Sequence, residues 1–227
     1  MKLFGEPLEL LILDVDGTIL DLLAFFWQHL EEAAVKSGYE LEPIKKYQED
    51  VRNGTSGHKA SFTEMLHAFY PNRAPEDNRV FFEKFRELEK ANPYPPIDGS
   101  IEAILWFRER GLSLALCTTN EKPALDHRLA SAGIDPTWFS AISDWENGFR
   151  KPDPRALEPI FRNVPVSKGR AAYVGDWFPD VELAQRAGVK FIAVLSGGIS
   201  KEAFLKKGVS TSHILKRLSE LPKLIEE

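Results

Sequence analysis

The pattern of apolar and polar positions changes texture twice along the chain. "LELLILD" at residues 8–14 is a short apolar run closed by an aspartate, with turn formers beyond it, which predicts a buried strand and a loop. From residue 22 the spacing becomes helical. "LLAFFWQHLEEAAVKSGY" repeats apolar residues one turn apart and meets Gly38 as a stop. "SFTEMLHAFY" and "EDNRVFFEKFRELEKA" predict further amphipathic helices, separated by "YPNRAP". Nothing between about residue 20 and residue 92 reads as a strand.

"NPYPPIDGS" then breaks the helical pattern, and a different alternation begins. "SIEAILWFRERG", "PALDHRLASAG", "PDPRALEPIFRNV" and "FPDVELAQRAG" predict helices. Between and after them, "LSLALCTTN", "FSAISD", "AAYVGD" and "KFIAVLS" predict short strands. Strand and helix in turn predict an α/β fold, a parallel sheet core covered by helices on both faces. The helical stretch is then an insertion after the first core strand. The expected domains are a core of residues 1–19 and 93–227 and an all-helical cap of residues 20–92. Ligands bind beyond the carboxyl ends of strands in such sheets, so an insertion at this point would lie over the binding edge.

Aspartate is costly to bury unless it is paired or bound to a metal. Yet Asp14 closes four apolar residues, and Asp16 follows one valine later. Residues two apart on an extended strand end emerge on one side. A second acidic pair, Asp176 and Asp180, lies in "VGDWFPD" after another strand. Neighbouring strands would bring both loops to one edge, an oxygen-rich cluster suited to Mg²⁺. Asp180 is read equally well as an ordinary first-turn acid of a helix. Thr118, Thr119 and Asn120 end a third strand and offer hydroxyls and N–H groups to an anion, or simply cap the next helix. Lys151, held before Pro152, can balance the aspartates and a phosphate. Asn53 and Gly54 in "RNGTSGHK" are weaker candidates for substrate contact from the cap. Phe25, Phe26 and Trp27 read more readily as cap packing than as pocket lining.

Composition narrows the alternatives. Hydrophobic residues make up 43% and charged residues 28%, a globular profile. A formal charge of -5 gives no support to a nucleic-acid polymer as partner. The single cysteine, Cys117, allows no intrachain disulfide. No leader pattern and no long apolar run is visible, so a cytoplasmic protein with no membrane partner is expected. His29, His67, His127 and His213 show no zinc-ligand spacing. A homodimer is left open.

The ordered set "DVDGT", "CTTN", "KPDP" and "GDWFPD" resembles the four motifs of the haloacid-dehalogenase-like phosphohydrolases, in the phosphoglycolate-phosphatase-like group with a helical cap. The resemblance spans residues 8 to about 200 and implies a Rossmann-like core. It implies Asp14 as nucleophile and Asp16 as acid/base, with the Asp16 backbone carbonyl on Mg²⁺. It matches Thr119 rather than Thr118 to the second motif, puts Lys151 on the phosphate, makes Asp176 a metal ligand, and makes Asp180 a metal or water-orienting residue. Trp177 departs from the small hydroxylated residue found in many relatives. The implied activity is Mg²⁺-dependent hydrolysis of a small phosphate monoester through a phospho-aspartyl intermediate. A phosphosugar mutase shares that chemistry, and a phosphoryl-receiving regulatory protein is the non-enzymatic alternative.

Overall fold

The computed structural model describes residues 1–53, 55 and 62–226. The chain opens with β1 (Lys2–Leu3) and β2 (Glu6–Pro7), an antiparallel pair, and enters β3 (Leu10–Leu13). A 3₁₀ turn at Leu22–Ala24 leads into α1 (Phe26–Lys36), followed by α2 (Glu42–Asn53), α3 (Phe62–Phe69) and α4 (Pro75–Ala91). The alternating half then runs α5 (Ser100–Glu109), β4 (Ser113–Cys117), α6 (Lys122–Ser131), β5 (Ala141–Ser143), α7 (Glu158–Asn163) and β6 (Ala171–Gly175). It finishes with α8 (Phe178–Ala187), β7 (Lys190–Val194), α9 (Lys201–Lys206), β8 (Ile214–Leu215) and β9 (Ile225–Glu226).

Six parallel strands form the main sheet in the order β5-β4-β3-β6-β7-β8. β3, the first strand of this sheet in the chain, is therefore internal to it, and all four of its residues are buried. Its alternation serves two cores at once: Leu11 and Leu13 pack with Ile104, Phe107 and Leu129, whereas Leu10 and Ile12 pack with Ile160, Leu183 and Phe204. A strand buried on both faces has no polar side, which is why "LLIL" is apolar throughout. Each such side chain contributes about 1.5–3 kcal/mol relative to leaving it in water.

The strand order also fixes where a ligand can sit. From β3 the chain builds outward through β4 to β5, then crosses back to β6 on the other side of β3. The crevice between β3 and β6 is the point where the direction of winding reverses, the usual binding position in open α/β sheets. Asp14 follows β3 there, and Asp176 follows β6.

The helices α1 to α4 have a hydrophobic cluster of their own, with Leu30, Ile44, Leu66, Tyr70, Phe81 and Phe85 at its centre. The two strands of chain that join this unit to the core run side by side. Leu20 bridges Pro96, Asp21 N–H donates to the Pro95 carbonyl at 2.8 Å, and Ile97 N–H donates to Ile19 at 2.8 Å. No helix among the described residues is long and apolar enough to cross a membrane.

Candidate active site

Asp14 leaves the end of β3 with its N–H still bonded to the Val174 carbonyl at 2.9 Å, so the ladder itself aims the residue at the crevice. Its Oδ1 accepts from Val15 N–H at 2.7 Å and from Lys151 Nζ at 2.8 Å. Oδ2 takes neither bond. Lys151 enters from the loop before α7, beside a cis Lys151–Pro152 peptide, and also reaches Asp180 Oδ1 at 2.7 Å. Thr18 Oγ1 donates to Asp176 Oδ1 at 3.3 Å.

Glycines make the cluster possible. A Cβ on Gly197 would lie 1.7 Å from Asp176 Oδ2, and one on Gly17 would lie 2.3 Å from the same oxygen. One on Gly175 would lie 2.5 Å from Asp180 Oδ2. Gly17 further holds φ at 75°, a left-handed conformation that the turn after the strand requires.

Asp14, Asp176 and Asp180 are all buried and offer oxygens within 4.8 Å of one another. Burial pushes the Asp14 carboxyl up to about 7, against the pull of Lys151 and with the Asp180 charge adding to the rise. Burial, then the charges of Asp14 and Asp180, holds Asp176 well above the ordinary carboxylate range. Burial acts to lower Lys151, but Asp14 and Asp180 outweigh it and keep the ammonium protonated. One ammonium therefore faces three crowded carboxylates. This excess of hard oxygen donors and negative charge fits a divalent cation.

Asp180 has little freedom within that set. It is fully buried, its Oδ1 accepts from Tyr173 Oη at 3.0 Å as well as from Lys151, and its Oδ2 accepts from Trp177 N–H at 3.0 Å. The backbone of residue 177 makes this bond, so it does not depend on the Trp177 side chain.

Thr119 lines the cavity and is exposed, whereas Thr118 is buried and its hydroxyl accepts from Asn120 N–H at 3.2 Å. Asn120 turns its side chain to Asp16, donating to Oδ2 at 2.8 Å. Asn53 ends α2, exposed and away from the cavity lining; Gly54 lies outside the described residues. Phe26 and Trp27 both pack in the cap and line the cavity, while Phe25 stacks on His29.

The sequence reading missed Arg128. From α6 it donates through Nη1 to Asp16 Oδ2 and, at 2.8 Å, to Asn120 Oδ1, and through Nη2 to Glu89 Oε1 on α4 at 2.6 Å. Glu89 also accepts from Tyr94 at 2.9 Å and from Arg86 at 2.7 Å. Asp16 Oδ1, by contrast, is buried without a partner. Arginine on a helix is ordinarily solvated, so only its burial marks it out.

Above the carboxylates is a cavity of about 230 Å³. Asp14, Asp16, Lys151, Asp176 and Thr119 form its floor, and Leu22, Phe26, Trp27, Tyr47, Val51 and Met65 come from the helical unit.

The family model for haloacid dehalogenase-like hydrolases matches residues 11–194, and the chain belongs to that family. It is 30% identical over 193 residues to a phosphoglycolate phosphatase of Mesorhizobium japonicum, covering 82% of each chain. The fold is similar to that of a Bacteroides fragilis protein described as a haloacid dehalogenase-like hydrolase, with a TM-score of 0.76 and 17% identity over 94% of this chain and 99% of that one. It is also similar to that of CbbY from Rhodobacter sphaeroides in complex with phosphate, with a TM-score of 0.71 and 21% identity over 94% and 96% of the two chains.

Proposed function

We propose that the protein hydrolyses a small phosphate monoester with Mg²⁺, using Asp14 as nucleophile and Asp16 as proton carrier. The observation that carries this reading is the convergence of three buried carboxylates, Asp14, Asp176 and Asp180, and one buried ammonium beneath a roofed cavity that Asp14, Asp176 and Lys151 line. Asp14, Asp176 and the Asp16 carbonyl would hold the cation, with Asp180 keeping Lys151 in place. When bound, Mg²⁺ supplies positive charge that keeps Asp14 ionised and offsets the phosphoryl oxygens.

Val15 N–H and Lys151 fix Oδ1 of Asp14, so Oδ2 is the oxygen aimed to attack phosphorus. The new Asp14 O–P bond forms as the bond from phosphorus to the ester oxygen breaks, and Asp16 delivers a proton to that oxygen. Water then attacks the aspartyl phosphate, returns a proton to Asp16, and releases inorganic phosphate. Lys151 and Thr119 bind the phosphoryl oxygens. Residues 20–92 serve as the cap over a core of residues 1–19 and 93–227. A mostly apolar roof, in which Tyr47 is the polar exception among the described residues from the helical unit, favours hydrolysis over the mutase alternative, because it offers few partners to the hydroxyls of a polyhydroxylated sugar turning over inside.

Inorganic phosphate release from a panel of monoesters, with Mg²⁺ and with a chelator, tests this function. Turnover is expected only with the metal, and Asp14→Asn is expected to abolish it while the fold survives. An Asp14→Asn enzyme of near-normal rate would rule out the covalent route.

A further inference from the structure

Two features of the cavity bear on what the ester carries besides phosphate. The first is its roof. Leu22, Leu23, Phe26, Trp27, Val51 and Met65 present hydrocarbon and aromatic surface from the helical unit, Tyr47 adds a phenol, and Trp177 adds an indole from the core. The second is its charge. Among the described residues lining it, Lys151 is the one cation, and its ammonium is already engaged by Asp14 at 2.8 Å and Asp180 at 2.7 Å.

We infer that this roof selects phosphate monoesters whose organic part is a single apolar ring or a short alkyl chain, and that it disfavours esters bearing a second anion. The inference rests on the phosphatase reading and names the substrate class within it. A divalent cation and Lys151 fall short of the charge on Asp14, Asp16, Asp176 and a bound phosphoryl group, and the Arg128 guanidinium is already taken up by Asp16 and Glu89. A carboxylate on the organic part would then be moved from water into mostly apolar surroundings where, among the described lining residues, no further cation meets it, which is penalised. An apolar ring gains instead. The size agrees: an apolar cavity of about 150 Å³ holds a benzene ring, and about 230 Å³ leaves room for a phosphoryl group beneath one. This sets the chain apart from its curated relatives, whose named substrate, phosphoglycolate, carries a carboxylate.

The test compares benzyl phosphate, ethyl phosphate and 2-phosphoglycolate, all alkyl esters, so that leaving-group acidity does not dominate. With Mg²⁺ present, kcat/KM for benzyl phosphate is expected to exceed both others by about 10-fold or more, the scale of burying one ring. Trp27→Ala and Leu23→Ala should each shrink the benzyl-to-ethyl ratio, and circular dichroism should show that each variant is folded. The second arm reads binding without turnover. Calorimetry with Mg²⁺ should give tighter binding of benzylphosphonate than of phosphonoacetate.

Turnover of phosphoglycolate equal to or above that of benzyl phosphate overturns the inference and leaves the phosphatase reading intact. No turnover of any ester, with benzylphosphonate still preferred, sinks the phosphatase reading and upholds the selectivity of the roof. Equal binding of the two phosphonates overturns the inference whatever the turnover.

Discussion

Asp176 is held by shape as much as by bonds. The absent side chains of Gly17 and Gly197 leave the space its carboxylate occupies, and a methyl at residue 197 would overlap an oxygen at 1.7 Å. Gly197 has an ordinary φ, so alanine there adds bulk without backbone strain. Gly197→Ala should therefore displace Asp176 and weaken Mg²⁺ binding by about tenfold or more, within the range of about 10–100-fold seen when supporting groups around metal ligands are lost. The midpoint of a Mg²⁺ activation curve checks this. An unchanged midpoint would mean that Asp176 is not a ligand. Asp14 shows the complementary limit of a sequence reading. Its position at a strand end was legible, but the raising of its carboxyl to about 7 comes from burial beneath residues far away in the chain.

At the scale of elements, the Arg128 guanidinium links α4 to α6. Arg128 on α6 holds Asp16 and Asn120 on one side and Glu89 on the other, so Asp16, the proposed proton carrier, is tied to the helical unit. Arg128 is a positioning residue, since it touches Asp16 and does not line the main cavity. Its loss should matter where the leaving group needs a proton and fade where it does not. Arg128→Gln is expected to slow an alkyl phosphate by about 10²–10⁴-fold, as Asp16→Asn should, because both remove general acid help. Both should slow 4-nitrophenyl phosphate far less, since its phenolate leaves unaided. Arg128→Lys should recover part of the alkyl rate. Equal losses on the two esters would mean that Arg128 serves the fold alone.

The same contact gives the whole molecule an acid-sensitive seam. Burial would raise Glu89, but Arg128 and Arg86 outweigh it and hold the carboxyl below the ordinary glutamate value of 4.5. With the folded value depressed, the contribution of Glu89 is complete above 4.5 and is lost as pH falls through the folded value. Urea unfolding at a series of pH values from about 6 to about 3 should show wild-type stability dropping below the ordinary glutamate range, with Glu89→Gln reducing that part of the drop. A variant with the wild-type slope would show that the seam does not bear on global stability. The two-residue strands β1, β2, β8 and β9 belong to this scale too. Each is too short to display a period, and pairings such as Lys2 with Glu226 join the two chain ends. That pairing is invisible to any local pattern.

The sequence by itself determined the local terms: apolar runs closed by Asp14, Thr119 and Asp176, helical spacing from residue 22, and the four acidic, hydroxyl and lysine motifs in order. These follow from backbone period and turn chemistry, which act over a few neighbouring residues. It also placed the insertion after the first strand, because the change of period is itself local. Only the tertiary structure decided that β3 lies between β4 and β6, which brings Asp14 and Asp176 to one crevice. It alone committed Asp180 to Tyr173, Lys151 and a backbone N–H, and it alone buried Arg128 between Asp16 and Glu89. The roof has the same origin. Val51 and Met65 were unremarkable helix residues until α2 and α3 folded over the carboxylates, since a cavity is made by segments distant in the chain.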